Sequence, residues 1–193
     1  MGLATFIGGI HPYEGKELSE DKPIKYLEPL QGEVMVYPLS QHIGAPAKPL
    51  VAKGDHVLKG QIIAEAGGFI SANVLSSVSG TVKGIESKLV ANGAMVQSIL
   101  VENDGEEEAI EGFGTDRDAS KLSKEEIRQI VKDAGIVGLG GAGFPTHVKL
   151  TPKDENAIDY VIVNGAECEP YLTSDYRTMM ERPEQIIGGL KVM

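Results

Sequence analysis

The sequence predicts an α+β protein of two domains, in which a small β domain precedes the beginning of an α/β domain. From about residue 24 to residue 101, short apolar runs alternate with glycine, proline and asparagine turn signals, and no helical period is sustained. After about residue 120, apolar residues recur at helical spacing, and a glycine-rich loop separates them from a further apolar run. A length of 193 residues accommodates one or two such domains.

Composition and charge exclude several classes of function. Basic residues number 18 and acidic residues 28, so the formal net charge of −10 argues against nonspecific binding to nucleic acid or to an anionic membrane surface. The single cysteine, Cys168, excludes an internal disulfide framework and any iron–sulfur or multi-cysteine zinc site built from this chain alone. The sequence predicts neither a transmembrane helix nor a signal peptide, since no apolar stretch is long enough and the first basic residue is Lys16. We therefore expect a reducing, cytosolic setting.

The predicted β domain covers residues 23–101 and follows an N-terminal arm, residues 1–22, that shows no sustained period. Its strands are expected at three short apolar runs, residues 34–36, 61–64 and 96–101. Residues 102–119 are predicted to be an acidic linker exposed to solvent. The stretch 101–114 carries six acidic side chains and no basic one, and like charges repel along such a run.

The second domain is predicted over residues 120–193, and it opens with a helix. Ser123 and Glu126 form the S-x-x-E capping box of that helix. Apolar residues follow at helical spacing up to Ala134, and Gly135 suits the position after the last turn.

The remainder of this domain contains one clear strand and one further helix. The apolar run at residues 160–163 is typical of a buried strand, and Pro183 suits the first position of a helix. Because a nucleotide-sized α/β domain needs several strands, we expect this chain to be a piece of a longer protein that stops within its second domain.

Two segments of the β domain resemble a known hammerhead. VAKGDHVLKGQIIAE, residues 51–65, followed by SVSGTVKGIE, residues 77–86, resembles the barrel-sandwich hybrid of lipoyl and biotinyl carriers. Such a carrier needs a lysine at the tip of its central hairpin, yet residues 61–80 contain none, and Lys59 and Lys83 only flank the hairpin. The segments therefore predict the fold of a carrier domain without its carrier function, and we expect a rigid docking platform without a covalent cofactor.

The glycine-rich loop GLGGAGFPTHVKL, residues 138–150, contains the spacing G-x-G-x-x-G. Glycines allow backbone N–H groups to approach an anion closely, Pro145 favours a helix start, and Lys149 lies within reach of a phosphate there. The loop follows a helix rather than a strand, which departs from the dinucleotide-binding pattern. On this evidence alone an anion site and a plain glycine-rich turn are equally good interpretations.

The segment VIVNGAECEP, residues 161–170, is a second candidate for ligand binding. Asn164 ends the predicted strand, where α/β proteins bind ligands, and the carboxylates of Glu167 and Glu169 can accept hydrogen bonds from ribose hydroxyls. The alternative interpretation is an ordinary charged loop.

Five segments in this order carry a specific resemblance that runs over nearly the whole chain. They are GGIHPYEGK, PLSQHIGAPAKPLVAKGDHVLKGQ, SGTVKGIE, GLGGAGFPTHVKL and VNGAECEP. Together they resemble the C subunit of the Rnf-type ion-translocating electron transport complex. The second half is also similar to the NADH-binding flavoprotein subunit of respiratory complex I, whose flavin loop reads G-R-G-G-A-G-F-P-T. Leu139 and Ala166 stand where the complex I pattern has an arginine and an aspartate.

The resemblance implies a barrel-sandwich hybrid followed by the start of an FMN- and NADH-binding α/β domain. It assigns ten residues to cofactor binding: Gly138, Gly140, Gly141, Ala142, Gly143, Phe144, Lys149, Asn164, Glu167 and Glu169. The first five would line the FMN, and Lys149 would approach its phosphate. Phe144 would stack near the nicotinamide ring.

In the same family pattern, Asn164 and Glu167 would face the flavin and Glu169 the NADH ribose. No side chain is assigned as a catalytic acid or base, and no metal ligand is expected in this chain. Two [4Fe–4S] clusters are expected beyond residue 193. The 193 residues alone are expected to hold no bound cofactor and to be inactive, because they supply only one side of the proposed pocket.

For the whole protein, the resemblance implies an NADH-oxidising subunit that passes electrons through FMN to iron–sulfur clusters, coupled by partner subunits to ion translocation. Its expected partners are NADH and the other subunits of a membrane-bound complex, on whose cytoplasmic side it would sit peripherally. The barrel-sandwich surface and the arm around His11 to Lys16 are the expected docking surfaces, because His11, His42 and His56 show no metal-ligand pattern. The alternative function is that of a docking adaptor with a vestigial flavin loop.

Overall fold

The computed structural model describes residues 9, 10, 12–139 and 141–193. Its chain divides into two compact units. The terminal unit combines Met1–Leu27 with Ile158–Met193, and the barrel unit is Glu28–Ala157. The predicted domains, residues 23–101 and 120–193, are defined by the family pattern and by composition. Because the two units are defined by compactness instead, they do not test these limits, which stay a prediction.

The barrel unit contains seven strands in its described residues: β1 (Val34–Pro38), β2 (Lys48–Pro49), β3 (His56–Val57), β4 (Ile62–Glu65), β5 (Val74–Leu75), β6 (Gly80–Leu89) and β7 (Met95–Asn103). They form a four-stranded sheet in the order β1-β7-β6-β3 and a three-stranded sheet in the order β2-β4-β5. Every pairing is antiparallel, and the longest runs from Gly80 opposite Asn103 to Leu89 opposite Met95. The three predicted apolar runs are confirmed as strands β1, β4 and β7.

The core of the barrel unit is aliphatic and draws on both sheets. Its largest fully buried apolar side chains are those of Val57, Ile63, Val78, Val82, Ile99 and Val101. In β6 the burial alternates residue by residue from Gly80 to Gly84, as one covered sheet face requires. A Cβ at Gly80 would lie 2.0 Å from the carbonyl oxygen of Glu102, so only glycine permits this approach of β6 to β7.

The predicted acidic linker is exposed from Gly105 to Asp118, but it is also attached to the barrel. The N–H of Lys59 donates to the carbonyl of Glu108, and the N–H of Ile110 donates to the carbonyl of Lys59. The ring of Phe113 lies over Gly60, where a Cβ would come within 2.4 Å of it. These backbone hydrogen bonds thus hold part of a segment that the charge pattern predicts to be a free loop.

The first helix of the barrel unit, α1 (Lys124–Asp133), begins and ends where the sequence predicts. Both hydrogen bonds of the capping box between Ser123 and Glu126 are present, and Gly135 adopts φ +63° just past Ala134. A single-turn helix, α2 (Thr146–Lys149), follows the glycine-rich loop.

The terminal unit contains α3 (Ser174–Glu181) and α4 (Pro183–Val192), and Pro183 is the first residue of α4 as predicted. The predicted buried strand at residues 160–163 is wrong. The segment forms no strand, and the side chains of Tyr160 and Ile162 are 84% and 85% exposed. A strand needs a neighbour to satisfy its N–H and C=O groups, and the described residues place none beside it. Within those residues, no helix is both long enough and apolar enough to cross a bilayer.

Candidate functional site

The glycine-rich loop forms a narrow hairpin in the barrel unit. Val137 and Pro145 face each other in an antiparallel bridge. The N–H of Gly138 donates to the carbonyl of Phe144, and the N–H of Thr146 donates to the carbonyl of Ile136, both at 2.9 Å. The tip therefore consists of residues 139–143, of which Gly140 lies outside the described residues.

One side of the tip packs against the barrel through Gly143. This glycine is buried with φ +62°, and a Cβ on it would lie 2.7 Å from the carbonyl oxygen of Gln41 and 3.0 Å from the Cα of His42. The ring of His42 is buried and fully bonded: Nε2 accepts from the N–H of Ala72 at 3.1 Å, and Nδ1 donates to the carbonyl of Ile43 at 3.0 Å. The packing of the loop against the barrel thus requires glycine at position 143, whether or not this residue also contacts a ligand.

The hairpin between β4 and β5 holds the neighbouring parts of the loop. The side-chain amide of Asn73 donates to the carbonyls of Lys132 and Asp133 at the end of α1. Burial lowers the pKa of His147, and the nearby charge of Lys132 lowers it further. The hairpin that carries the cofactor lysine in carrier domains here supports the glycine-rich loop.

A cavity of about 310 Å³ lies beside this junction, lined by Tyr37, Gln41, His42, Ala72, Asn73, Val74, Leu75, Ser77, Ala134, Gly135 and Val137. The hydroxyl of Tyr37 is hydrogen-bonded to Ser77, and the ring of His42 is bonded as described above. The buried polar side chains of the described residues all have partners, so none of the buried side chains that line this cavity is left unsatisfied for a ligand.

The other side of the tip is open and rich in donors. In the described part of the chain, no acceptor is present for the backbone N–H groups of Leu139, Gly141 and Ala142, all of which are exposed. A Cβ on Gly141 would have no atom of the described chain within 4 Å, whereas one on Gly138 would lie 2.9 Å from the Nζ of Lys149. Backbone amides beside a lysine ammonium suit a phosphate group, so these residues fit the FMN that the sequence implies.

A set of ion pairs anchors the turn that carries Lys149. The Nε of Arg128 donates to the carbonyl of Leu150 at 2.6 Å, and its guanidinium also pairs with Glu155. The ammonium of Lys124 and the guanidinium of Arg128 hold the pKa of Glu155 below its usual range. The arrangement connects α1 to the end of α2.

Three of the predicted residues lie in the terminal unit. The side-chain oxygen of Asn164 accepts from the N–H of Ala166 at 2.9 Å, which closes a tight turn. Glu169 is exposed.

The carboxylate of Glu167, by contrast, is occupied by contacts within the protein. Its side chain is 7% exposed, and its Oε1 accepts from the N–H of Asp175 at 3.0 Å in the first turn of α3. Its Oε2 lies 3.9 Å from the Nζ of Lys16. The prediction that Glu167 faces the flavin stays untested, but the structure gives this carboxylate a capping role that the sequence does not indicate.

Sequence reasoning missed Lys16 and Arg128 as residues that support the site. Neither stands near a recognisable binding pattern, since each acts through contacts 22 or more positions away along the chain. Lys16 ends the stretch HPYEGK, which resembles the family, but that resemblance does not indicate which residues Lys16 contacts. Among the described residues, no group of three or more His, Cys, Asp or Glu side chains is arranged to hold a metal ion.

Two family models match the chain in succession. The RnfC barrel sandwich hybrid domain matches residues 4–106, more than half of the chain, and the Nuo51 FMN-binding domain matches residues 131–193. These matches confirm the predicted fold class of a barrel-sandwich hybrid followed by part of a flavin-binding domain.

Curated relatives match over nearly the whole chain. The chain is 45% identical over 191 residues to the C subunit of the proton-translocating ferredoxin:NAD(+) oxidoreductase complex of Clostridium ljungdahlii, covering 99% of this chain and 41% of that protein. It is 44% identical over 191 residues to the C subunit of the Na(+)-translocating ferredoxin:NAD(+) oxidoreductase complex of Acetobacterium woodii, covering 97% of this chain and 42% of that protein. It is also 41% identical over 193 residues to the C subunit of the ion-translocating oxidoreductase complex of Pseudomonas aeruginosa, covering 99% of this chain and 24% of that protein.

The chain thus spans about two fifths of the length of the first two of these relatives. The succession of the two domain matches along the chain agrees with the barrel and the glycine-rich loop that the structure shows. The chain belongs to the RnfC family, the C subunits of Rnf complexes.

Proposed function

We propose that this chain supplies the flavin loop and part of the nicotinamide site of an NADH-oxidising electron-transfer subunit. In the whole protein, electrons pass between NADH and two [4Fe–4S] clusters through FMN. Partner subunits couple this transfer to ion translocation, and the subunit sits peripherally on the cytoplasmic side of their membrane complex. The names of the relatives support this function at the level of the complex, and the Nuo51 FMN-binding match supports the flavin.

The observation that carries the proposal is the open face of the loop tip. The exposed residues Leu139, Gly141 and Ala142 have backbone N–H groups with no acceptor among the described residues, and the ammonium of Lys149 lies beside Gly138 at the base of the same tip. A dianionic phosphate on a chain of net charge −10 requires such local compensation. FMN, when bound, supplies the conversion between two-electron hydride transfer and one-electron transfer.

The residues of this chain bind and orient rather than react. Lys149 and the tip amides would hold the phosphate, while Phe144, which is half-buried, would offer its exposed edge to the nicotinamide ring. In the terminal unit, Asn164 and Glu169 would contact flavin and ribose, respectively. Proton transfer by a side chain of this chain is not part of the proposal.

One observation favours a second function, that of a docking adaptor with a vestigial flavin loop. Gly143, the last glycine of the motif, is explained by its packing against Gln41 and His42 without any ligand. A loop kept for that packing alone would retain this glycine even if the flavin were lost. Gly143 is therefore unsuitable for deciding between the two functions, because its substitution damages the fold in either case.

Gly141 is the suitable position. Gly141→Ala adds a methyl group into space that holds no atom of the described residues within 4 Å, on the face where FMN is proposed. In the intact subunit we expect bound FMN to fall about tenfold, with NADH oxidation falling in parallel, while the free energy of unfolding changes by less than about 0.5 kcal/mol. Flavin content per protein, NADH:ferricyanide turnover and a urea unfolding curve measure these three quantities.

The matched control is Gly188→Ala in α4, where a Cβ also meets no atom within 4 Å in the part of the chain that the structure describes. It should leave flavin content and turnover unchanged. If Gly141→Ala retains full flavin content and turnover, the tip does not contact the cofactor and the proposed site is wrong. If the wild-type protein assembles with its partners but never acquires flavin, the adaptor function is correct.

A further inference from the structure

We propose that residues 13–16, Tyr-Glu-Gly-Lys, form a clamp on residues 167–172, and that Lys16 is a positioning residue for the loop that presents Glu169. The clamp is a contact inside the terminal unit and follows directly from its geometry. Its consequence for NADH binding rests on the function proposed above.

Backbone and ring contacts make the first part of the clamp. The N–H of Tyr171 donates to the carbonyl of Glu14 at 2.6 Å, and the rings of Tyr13 and Tyr171 meet edge to face with centroids 6.2 Å apart. Gly15 adopts φ +60°, and a Cβ on it would lie 2.3 Å from the ring of Tyr171. Glycine is therefore required at this position, both for its backbone conformation and for the close approach.

The conformation of Tyr171 indicates that these contacts constrain the loop. Its φ of +68° lies in the left-handed region, which a bulky aromatic residue rarely adopts without compensation. Three contacts surround Tyr171. They are its hydrogen bond to Glu14, the ring of Tyr13, and a hydrogen bond of 3.1 Å from the hydroxyl of Ser19 to the carbonyl of Tyr171. The arm thus supplies the contacts that hold an unfavourable backbone turn.

Lys16 makes the second part of the clamp. Its Nζ donates to the carbonyl of Leu172 at 2.8 Å and approaches the carbonyl of Glu169 at 3.5 Å. The same ammonium lies 3.9 Å from the carboxylate of Glu167. One cation therefore contacts the loop on both sides of Cys168 and on both sides of Pro170, and its hydrogen bonds are charge-assisted.

The geometry explains how the clamp would act on ligand binding. Glu167 is tied to the first turn of α3 and to Lys16, while Glu169, two residues on, remains exposed. With Glu167 and the carbonyls of Glu169 and Leu172 fixed, the backbone that carries Glu169 is held in place before a ribose arrives. Such preorganisation lowers the cost of binding without adding a contact to the ligand.

The test compares Lys16→Met, which keeps the length of the side chain and removes its charge, with Lys16→Arg, which keeps the donors. In the intact subunit we expect Lys16→Met to raise KM for NADH about tenfold while kcat and FMN content stay within about twofold. Lys16→Arg should restore most of the affinity. Lys25→Met is the matched control, because Lys25 is exposed in the N-terminal part of the same unit and has no side-chain partner among the described residues.

A second measurement needs no cofactor. Amide hydrogen exchange of residues 165–173 should become about tenfold faster in Lys16→Met than in wild type or Lys25→Met. Unchanged exchange in Lys16→Met overturns the clamp. Faster exchange with an unchanged KM, in a wild-type protein that does oxidise NADH, overturns the positioning role and leaves the proposed function intact. A wild-type protein that binds no flavin refutes the proposed function, while the exchange result still decides the clamp.

Discussion

Single residues of this chain are often fixed by a partner that lies far away in the sequence. Gly143 is glycine because Gln41 and His42 lie against it, and Gly15 is glycine because the ring of Tyr171 does. Both positions lie in motifs that resemble a cofactor-binding family, yet their steric cause lies within the protein. A motif glycine therefore has to be tested for internal packing before it is assigned to a ligand.

Asp104 is the residue whose ionisation matters most clearly for the barrel unit. Its carboxylate accepts from the hydroxyl of Ser79 at 2.6 Å, from the N–H of Glu106 at 2.9 Å and from the ring of His56 at 3.0 Å. These contacts, the Ser79 hydroxyl foremost, hold the pKa of Asp104 below its usual range. A lowered pKa stabilises the fold above the unfolded value of about 4, and this contribution disappears as the pH falls through the folded value.

We expect Asp104→Asn to be less stable than wild type at pH 6, with the difference closing as the pH falls below about 4. Urea unfolding midpoints measured from pH 3 to pH 6 test this expectation. Asp116→Asn, which changes an exposed carboxylate in the predicted linker, is the control. A gap between Asp104→Asn and wild type that stays constant across this range would show that ionisation of Asp104 does not contribute.

At the scale of elements, the hairpin between β4 and β5 performs a task different from the one its fold suggests. Carrier domains place a modified lysine there, whereas here Asn73 binds the end of α1. Helix α1 leads directly into the glycine-rich loop, so its N-terminal cap contributes to the position of the loop.

Ser123→Ala removes the side chain that caps α1. Its hydroxyl accepts from the N–H of Glu126 at 3.3 Å, and the Glu126 carboxylate accepts from the N–H of Ser123 at 2.8 Å. We expect the free energy of unfolding to fall by about 1 kcal/mol, as for other N-cap hydroxyls. Chemical denaturation measures it, with Thr115→Ala, in the exposed predicted linker, as the control. Equal stability of Ser123→Ala and wild type would mean that α1 does not depend on its capping box.

At the scale of the whole molecule, the two compact units are built differently. The barrel unit is one continuous stretch with its own aliphatic core. The terminal unit joins the beginning of the chain to its last 36 residues through contacts such as that of Ile24, whose N–H donates to Glu181 at 3.0 Å. The guanidinium of Arg177 likewise donates to the carbonyl of Glu20 at 3.0 Å.

Deletion of residues 1–27 should therefore affect the two units unequally. We expect the urea midpoint of the barrel core to stay unchanged, while trypsin cleavage after Arg177 becomes about tenfold faster because α3 loses its arm contacts. Mass spectrometry of timed digests measures the cleavage, with the turn at Lys53 in the barrel unit as the internal reference. Cleavage after Arg177 at the wild-type rate would show that the arm does not support α3.

The sequence by itself determined the features that depend on neighbours a few positions apart. The apolar runs between turn signals specify strands β1, β4 and β7, the capping box specifies the start of α1, and Pro183 specifies the start of α4. Only the tertiary structure decided which partner each site residue has. The carboxylate of Glu167 caps α3, and Lys16 reaches a carbonyl 156 positions away. The run at residues 160–163 shows the same limit, because its composition favours a strand but a strand exists only where another backbone lies beside it. Local propensity is a property of short stretches of chain, whereas pairing, capping across loops and close approach to glycine depend on where the fold brings distant stretches together.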